Sequence, residues 1–323
     1  MGTSHRHARV LALVLIAASI FIARQPLLAQ KTARAPDGRP DLQGTWLNDT
    51  ATQLERPKDF ADKAFFTDDE AREYEKHYLL DRAAAANIDI PFGLETGADY
   101  DTFEPGHVLP TRRTSLIVDP PDGKVPALTS EARRRSVDRT QYLKAHPAEN
   151  PEDLPLGQRC LMIAGSPVGP PMLPVIYNNH IQIVQTRDYV MILNEMIHDV
   201  RVIRLDRSAH LSAAIRQWKG DGIGHWEGDT LVVDTTNFTD QTTLRGSGSM
   251  LHVVERFTLS DADTLGYQFT IDDPASFVRS WSAEMVMLKT DGPMFEYACH
   301  EGNYSMTSVL RGARLAEKGR EGR

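Results

Sequence analysis

From residue 175 onward the chain alternates apolar and polar positions in short runs broken by turn residues. Period-two runs of this kind, rich in β-branched and aromatic side chains, predict half-buried β-strands. The pattern predicts strands over 181–185, 189–195, 200–205, 223–226, 230–237, 252–259, 265–271, 281–288 and 295–300. Most links between them are of hairpin length, such as Thr186-Arg187-Asp188, Asp261-Ala262-Asp263 and Asp291-Gly292-Pro293, and one longer polar crossing runs from Asp206 to Lys219. At the centre, Gly224 to Asp234 reads as strand, Glu227-Gly228-Asp229 turn and strand, with Gly228 supplying the positive φ of a tight hairpin. Short strands with short links argue for an antiparallel meander, and closing it into a barrel removes its exposed edges.

Upstream the period changes. Thr67-Asp68-Asp69-Glu70 has capping-box spacing and opens a predicted helix reaching Ala85, and a second helix is predicted from Thr129 to about Leu143. A terminal helix is predicted over 307–318. The expected fold is therefore mainly β: an antiparallel up-and-down barrel with a helical and loop insertion near the N-terminus and a C-terminal helix. Its divisions are a signal peptide (1–29), a lead-in (30–40), a first strand with insertion or cap (41–174), the barrel meander (175–306), and the helix and tail (307–323).

Export is expected from the first segment. Arg6 and Arg9 precede an apolar run from Val10 to Ile22, and Ala29 offers a small residue for cleavage. That run is shorter than the roughly 20 residues needed to span a bilayer, so no stable membrane insertion is expected after cleavage, and the location is periplasmic or secreted. Losing Arg6, Arg9 and Arg24 takes the formal charge from −8 to −11, which disfavours nucleic acid as a partner. Cys160 and Cys299 both lie in the exported part, where an even count favours a disulfide over two buried thiols. With no CxxC they make no zinc site.

Candidate chemistry comes from polar residues sharing a parity with bulky apolar ones. Glu195 aligns with Tyr189, Met191 and Leu193; Arg201 with Ile203 and Leu205; Glu255 with Val253 and Phe257; Glu284 with Val286 and Leu288. His252 and Arg256 fall on the other parity, beside Val254. Both faces are partly apolar, so parity alone leaves the inward face open. Carboxylates on a cavity wall are costly to bury and suit binding or catalysis. The competing reading is a solvated Glu195–Arg201 cross-strand ion pair.

His225 and Glu227 of the central hairpin, with His300 and Glu301 at the exit of the last strand, are the leading general acid–base pairing. Glu195 and Glu255 complete the catalytic candidates, and Trp226, Arg201, Tyr297 and Asn179 are candidates for substrate binding. Five histidines (180, 198, 225, 252 and 300) could reach a barrel mouth, yet no His-x-His or His-Glu-x-x-His occurs, so neither a metal nor another cofactor is expected. A Gly-x-Ser-x-Gly elbow, a P-loop and a dinucleotide fingerprint are also absent from the sequence.

Two resemblances bear on these readings. The segments Pro36–Trp46, Arg113–Gly123, His225–Val233 and Tyr297–Tyr304 together resemble a group of uncharacterised exported bacterial proteins, a likeness that runs over nearly the whole mature chain and brings no activity with it. Gly44-x-Trp46 followed by a meander is similar to the calycin and lipocalin-like barrels, which implies a Trp plugging one barrel end and a cavity for a small hydrophobic molecule. The expectation is an exported barrel that binds such a molecule and acts on it by His/Glu acid–base chemistry as a lyase, isomerase or hydrolase. The alternatives are a non-catalytic carrier and a structural or interaction protein of the cell envelope.

Overall fold

A computed structural model describes residues 32–86, 111–162, 169–175, 178–206, 209–242 and 244–321. The expected signal peptide lies outside them. Ten strands form one sheet: β1 (Gly44–Leu47), β2 (Ile117–Asp119), β3 (His180–Gln185), β4 (Tyr189–Asn194), β5 (Asp199–Arg204), β6 (Asp221–Glu227), β7 (Thr230–Thr236), β8 (His252–Leu259), β9 (Thr264–Asp272) and β10 (Trp281–Thr290). Nine of them, β1 and β3 to β10, close into a barrel because β1 pairs with both β3 and β10. Among the described residues three α-helices accompany it, α1 (Asp68–Ala86), α2 (Ser130–Ala145) and α3 (Tyr304–Glu321).

Alternation decides which side chains face the interior. Along β8, β9 and β10 the buried set is Val253, Glu255 and Phe257, then Leu265, Tyr267, Phe269 and Ile271, then Trp281, Ala283, Met285 and Met287. Glu284 therefore points outward, where its carboxylate meets Arg113 Nε at 2.5 Å. Trp46 of β1 is fully buried in the same core, and its indole nitrogen donates to the Leu42 carbonyl at 3.0 Å.

Three expectations need correction. Phe295–His300 is not a strand, because the free edge of β10 is already taken by β1 at residues 288–290 and by β2 at 282–283. The ninth barrel strand is β1. Second, β6 runs parallel to β5, in the register Arg204 to Ile223, while every other pairing in the sheet is antiparallel. The crossing after β5 carries the chain back to the rim where β5 began. Third, Glu195 does not share the face of Tyr189 and Met191: β4 buries Val190, Ile192 and Asn194, and the chain leaves the strand at Glu195 with helical φ/ψ.

Other local features match the sequence reading. Thr67 and Glu70 form the reciprocal capping box of α1, and Thr129 Oγ1 caps α2 by accepting from the Ala132 amide at 3.1 Å. Gly228 has φ 60° at the first position of the two-residue β6–β7 loop. Cys160 and Cys299 are joined in a disulfide.

Gly224 faces inward on β6, opposite Val233, and lets Ile203 and Leu205 pack against the strand backbone: a Cβ here would lie 2.8 Å from both side chains. Gly224→Val is expected to destabilise the barrel by about 1–3 kcal/mol through overpacking. Urea unfolding checks this, and an unchanged midpoint would show that the β5–β6 seam has slack.

Candidate functional site

The most unusual feature of the barrel interior is charge. Arg201 and Glu255 project inward from β5 and β8 and are 7% and 0% exposed. Arg201 NH1 donates to Glu255 Oε1 at 2.9 Å, and NH2 donates to Oε2, a bidentate pair. Tyr267 of β9 donates its phenol to Glu255 Oε1 at 2.8 Å and accepts from the Met172 amide at 2.8 Å. Met172 belongs to segment 169–175, which is tied to the end of β1 by Asn48 Nδ2 donating to the Met172 carbonyl. Met172 and Leu173 join the main core, so this segment plugs the rim at which β3, β5, β6, β8 and β10 begin, called here the lower rim.

Burial and charge act in opposition on these groups. Burial alone would loosen the Arg201 proton, but Glu255 outweighs it and holds the pKa above the ordinary arginine value. Burial, with the Glu255 charge beside it, drives the Tyr267 phenol well above its ordinary value, so it stays a neutral donor.

A second pair lies at the same rim, with its amine buried and its carboxylate 38% exposed. Asp199 shares the parity of Arg201 on β5 and meets Lys219, which precedes β6, with Nζ 2.6 Å from Oδ2. The Lys219 side chain is only 10% exposed. Burial lowers its pKa to about 8, with Arg201 adding to the effect and Asp199 opposing it. Asn194, the cross-strand neighbour of Asp199, and Thr235 of β7 complete this end; Asn194 Nδ2 and Thr235 Oγ1 are buried with no partner among the described residues.

Glu195 is buried just beyond this rim. It accepts from the His180 ring (2.9 Å) and backbone (3.2 Å) and from the Phe295 amide (2.6 Å). Burial pushes its pKa up, but these donors outweigh it and the net shift is downward. Asn179 closes a local turn, exchanging hydrogen bonds with the Val175 backbone at 2.7 and 2.6 Å. Tyr297 packs with Met196 and Ile197, and its carbonyl meets His198 Nδ1 at 2.7 Å. The solvated Glu195–Arg201 pair is therefore not formed; each has its own buried partner.

The leading acid–base pairing is also not assembled. His225 bonds Glu227 at 3.1 Å and Glu227 bonds Arg256 at 2.5 Å, all on the outer face near the upper rim, where the β6–β7 turn sits. His300, 6.4 Å from His198 between ring centroids, and exposed Glu301 belong to the lower rim. The parallel β6 is the reason: had β6 run antiparallel to β5, its turn would have arrived at the lower rim. Trp226 packs inward against the core near the upper rim.

Sequence reasoning missed a further outer cluster. His210, in the crossing, bridges Asp221 (3.1 Å) and Asp234 (2.9 Å), and His252 reaches the other Asp234 oxygen at 2.9 Å. No group of three or more His, Cys, Asp or Glu among the described residues is arranged to hold a metal ion. Lys219 and His210 were hidden because the crossing has no periodicity, and Tyr267 because its alternation reads as plain core.

Comparison of the chain with protein-family models, curated proteins and solved structures finds no match in any of the three. Function must therefore be read from this geometry. Two outcomes are expected from it. Glu255→Leu leaves Arg201 buried without its counter-ion and should cost about 3–5 kcal/mol by denaturant unfolding; a cost below 1 kcal/mol would mean that water reaches Arg201.

The second concerns pH. The His252 pKa is raised, first by its hydrogen bond to Asp234, so its contribution is full below its ordinary 6.5 and is lost as pH rises through the folded value. Asp234 is lowered, chiefly by the same bond, so its contribution is present above its ordinary 3.8 and lost as pH falls through the folded value. His252→Gln should therefore cost about 0.5 kcal/mol at pH 5.5, after screening, and less at pH 8.5. An equal cost at both pH values would contradict the assignment.

Proposed function

We propose that this protein is an exported barrel that binds a small molecule with an apolar body and a polar group, taken at the lower rim beneath segment 169–175. One observation carries the reading: the buried Arg201–Glu255 pair, the Lys219 amine with its partly exposed partner Asp199, and Asn194 Nδ2 and Thr235 Oγ1, which have no hydrogen-bond partner among the described residues, are gathered at one end of a largely apolar barrel. Packing gives no reason for them, since hydrophobic residues of similar volume serve a core as well as a buried ion pair or better. Unpaired buried polar atoms cost about 1–3 kcal/mol each, which a ligand's polar group would recover. The disulfide and the N-terminal sequence support export, and no described helix is long and apolar enough to cross a membrane. Acid–base chemistry by His225, Glu227, His300 and Glu301 has no support, because the two pairs lie at opposite rims.

The test uses N-phenyl-1-naphthylamine, an apolar fluorophore with one N–H. Saturable binding with a stoichiometry of one is expected, with energy transfer from the buried Trp281. Thr235→Val, which removes the hydroxyl able to accept from the probe's N–H, should weaken it about tenfold while leaving the unfolding midpoint equal or higher. Absence of saturable binding, or binding unaffected by Thr235→Val, would remove the proposal.

A further inference from the structure

Lys219 stands out at the lower rim because its amine is buried, inward and beside a second cation. Lysine amines become nucleophiles when desolvation or a neighbouring cation favours their neutral form, and both conditions hold here. Its carboxylate neighbour, Asp199, is 2.6 Å away and placed to take and return a proton. Gly220, next in the chain, has φ 70°, and a Cβ there would lie 2.5 Å from the Thr236 carbonyl and 2.7 Å from the Thr235 methyl. The close approach of Gly220 to β7 fixes where Lys219 leaves the backbone. Thr235 Oγ1 and Asn194 Nδ2 are among the buried polar atoms at this end with no partner in the described residues, and Asn194 is directly across the strands from Asp199.

We infer that Lys219 is a covalent attachment site for an aldehyde or ketone, forming a reversible imine with a carbonyl ligand seated at the lower rim. This rests on the binding proposed above and names the class of ligand. The ammonium first gives a proton to Asp199. The free amine then attacks the carbonyl carbon, its first proton passes to the carbonyl oxygen, and a neutral carbinolamine forms. The hydroxyl leaves as water on protonation from Asp199, and the amine's second proton passes to the carboxylate so freed, yielding the neutral imine. One water is released for each carbon–nitrogen double bond made, and no oxidant or reductant is required. Asn194 Nδ2 is a donor suited to the carbonyl oxygen before attack, and Thr235 Oγ1 to the departing water.

The amine's pKa of about 8 sets the pH window. Exposed lysines remain protonated up to about 10.4, so at pH 7 the neutral fraction of Lys219 exceeds theirs by on the order of a hundredfold. Burial will take back part of that advantage.

The experiment incubates the full mature protein with 1-naphthaldehyde and sodium cyanoborohydride at pH 7, which reduces any imine to a stable secondary amine, and maps adducts by peptide mass spectrometry. Lys219 should be modified at least tenfold faster than exposed lysines such as Lys144 and Lys318, with a rate that rises toward a plateau above pH 8. Lys219→Arg, which keeps the cation, should abolish the fast adduct while the near-ultraviolet circular dichroism of the folded barrel persists. Adducts confined to exposed lysines, with naphthylamine still bound, would overturn the imine and spare the binding proposal. Loss of both from the unmodified protein would overturn both.

Discussion

The constraint on which the rest of the structure depends is the burial of the Arg201–Glu255 pair inside an apolar barrel. A charge pair in such a place is tolerable only when every remaining donor and acceptor is matched. Tyr267 supplies the third hydrogen bond to Glu255, and the Met172 amide satisfies Tyr267 in turn. Segment 169–175 is thus drawn into the barrel by polar contacts as well as by the burial of Met172 and Leu173. The rim plug, the ion pair and the inward face of three strands form one connected unit.

Connectivity sets where that unit sits. β1, taken from far upstream, closes the ring between β3 and β10, and the parallel β6 sends the β6–β7 turn to the opposite rim. Polar groups on the inside are consequently concentrated at one end. On the outside, Asp234, His210 and His252 tie the crossing to the barrel wall, and the disulfide holds the segment that follows β10 near the lower rim. The lower rim is where the chain's interior charge, its plug and its covalent crosslink meet.

Much of the fold was legible in the sequence. Period-two alternation located eight of the barrel strands, the capping box located α1, and the barrel closure followed from the need to remove edges. Direction was not legible in β6, because a crossing as long as 206–219 permits either sense, and local alternation carries no information about it. Phe295–His300 alternates as a strand would, but a strand needs an open edge, and that of β10 was filled from elsewhere in the chain. Parity grouped Arg201 and Glu255 with the apolar residues beside which they are buried. Their partnership needed the register, which also exposed Tyr267 as more than a core aromatic. Lys219 lay in a segment with no period to read.

The proposed function requires the interior ion pair for ligand binding, whereas net stability does not require it once both charges are replaced together. The most direct measurement is the double substitution Arg201→Met with Glu255→Leu, assayed for both stability and naphthylamine binding. The account expects a folded barrel with an unfolding midpoint equal to or above that of the natural chain. It also expects binding weakened by tenfold or more. A double variant that binds the probe as tightly as the natural chain would contradict the claim and leave the pair with no role in ligand recognition.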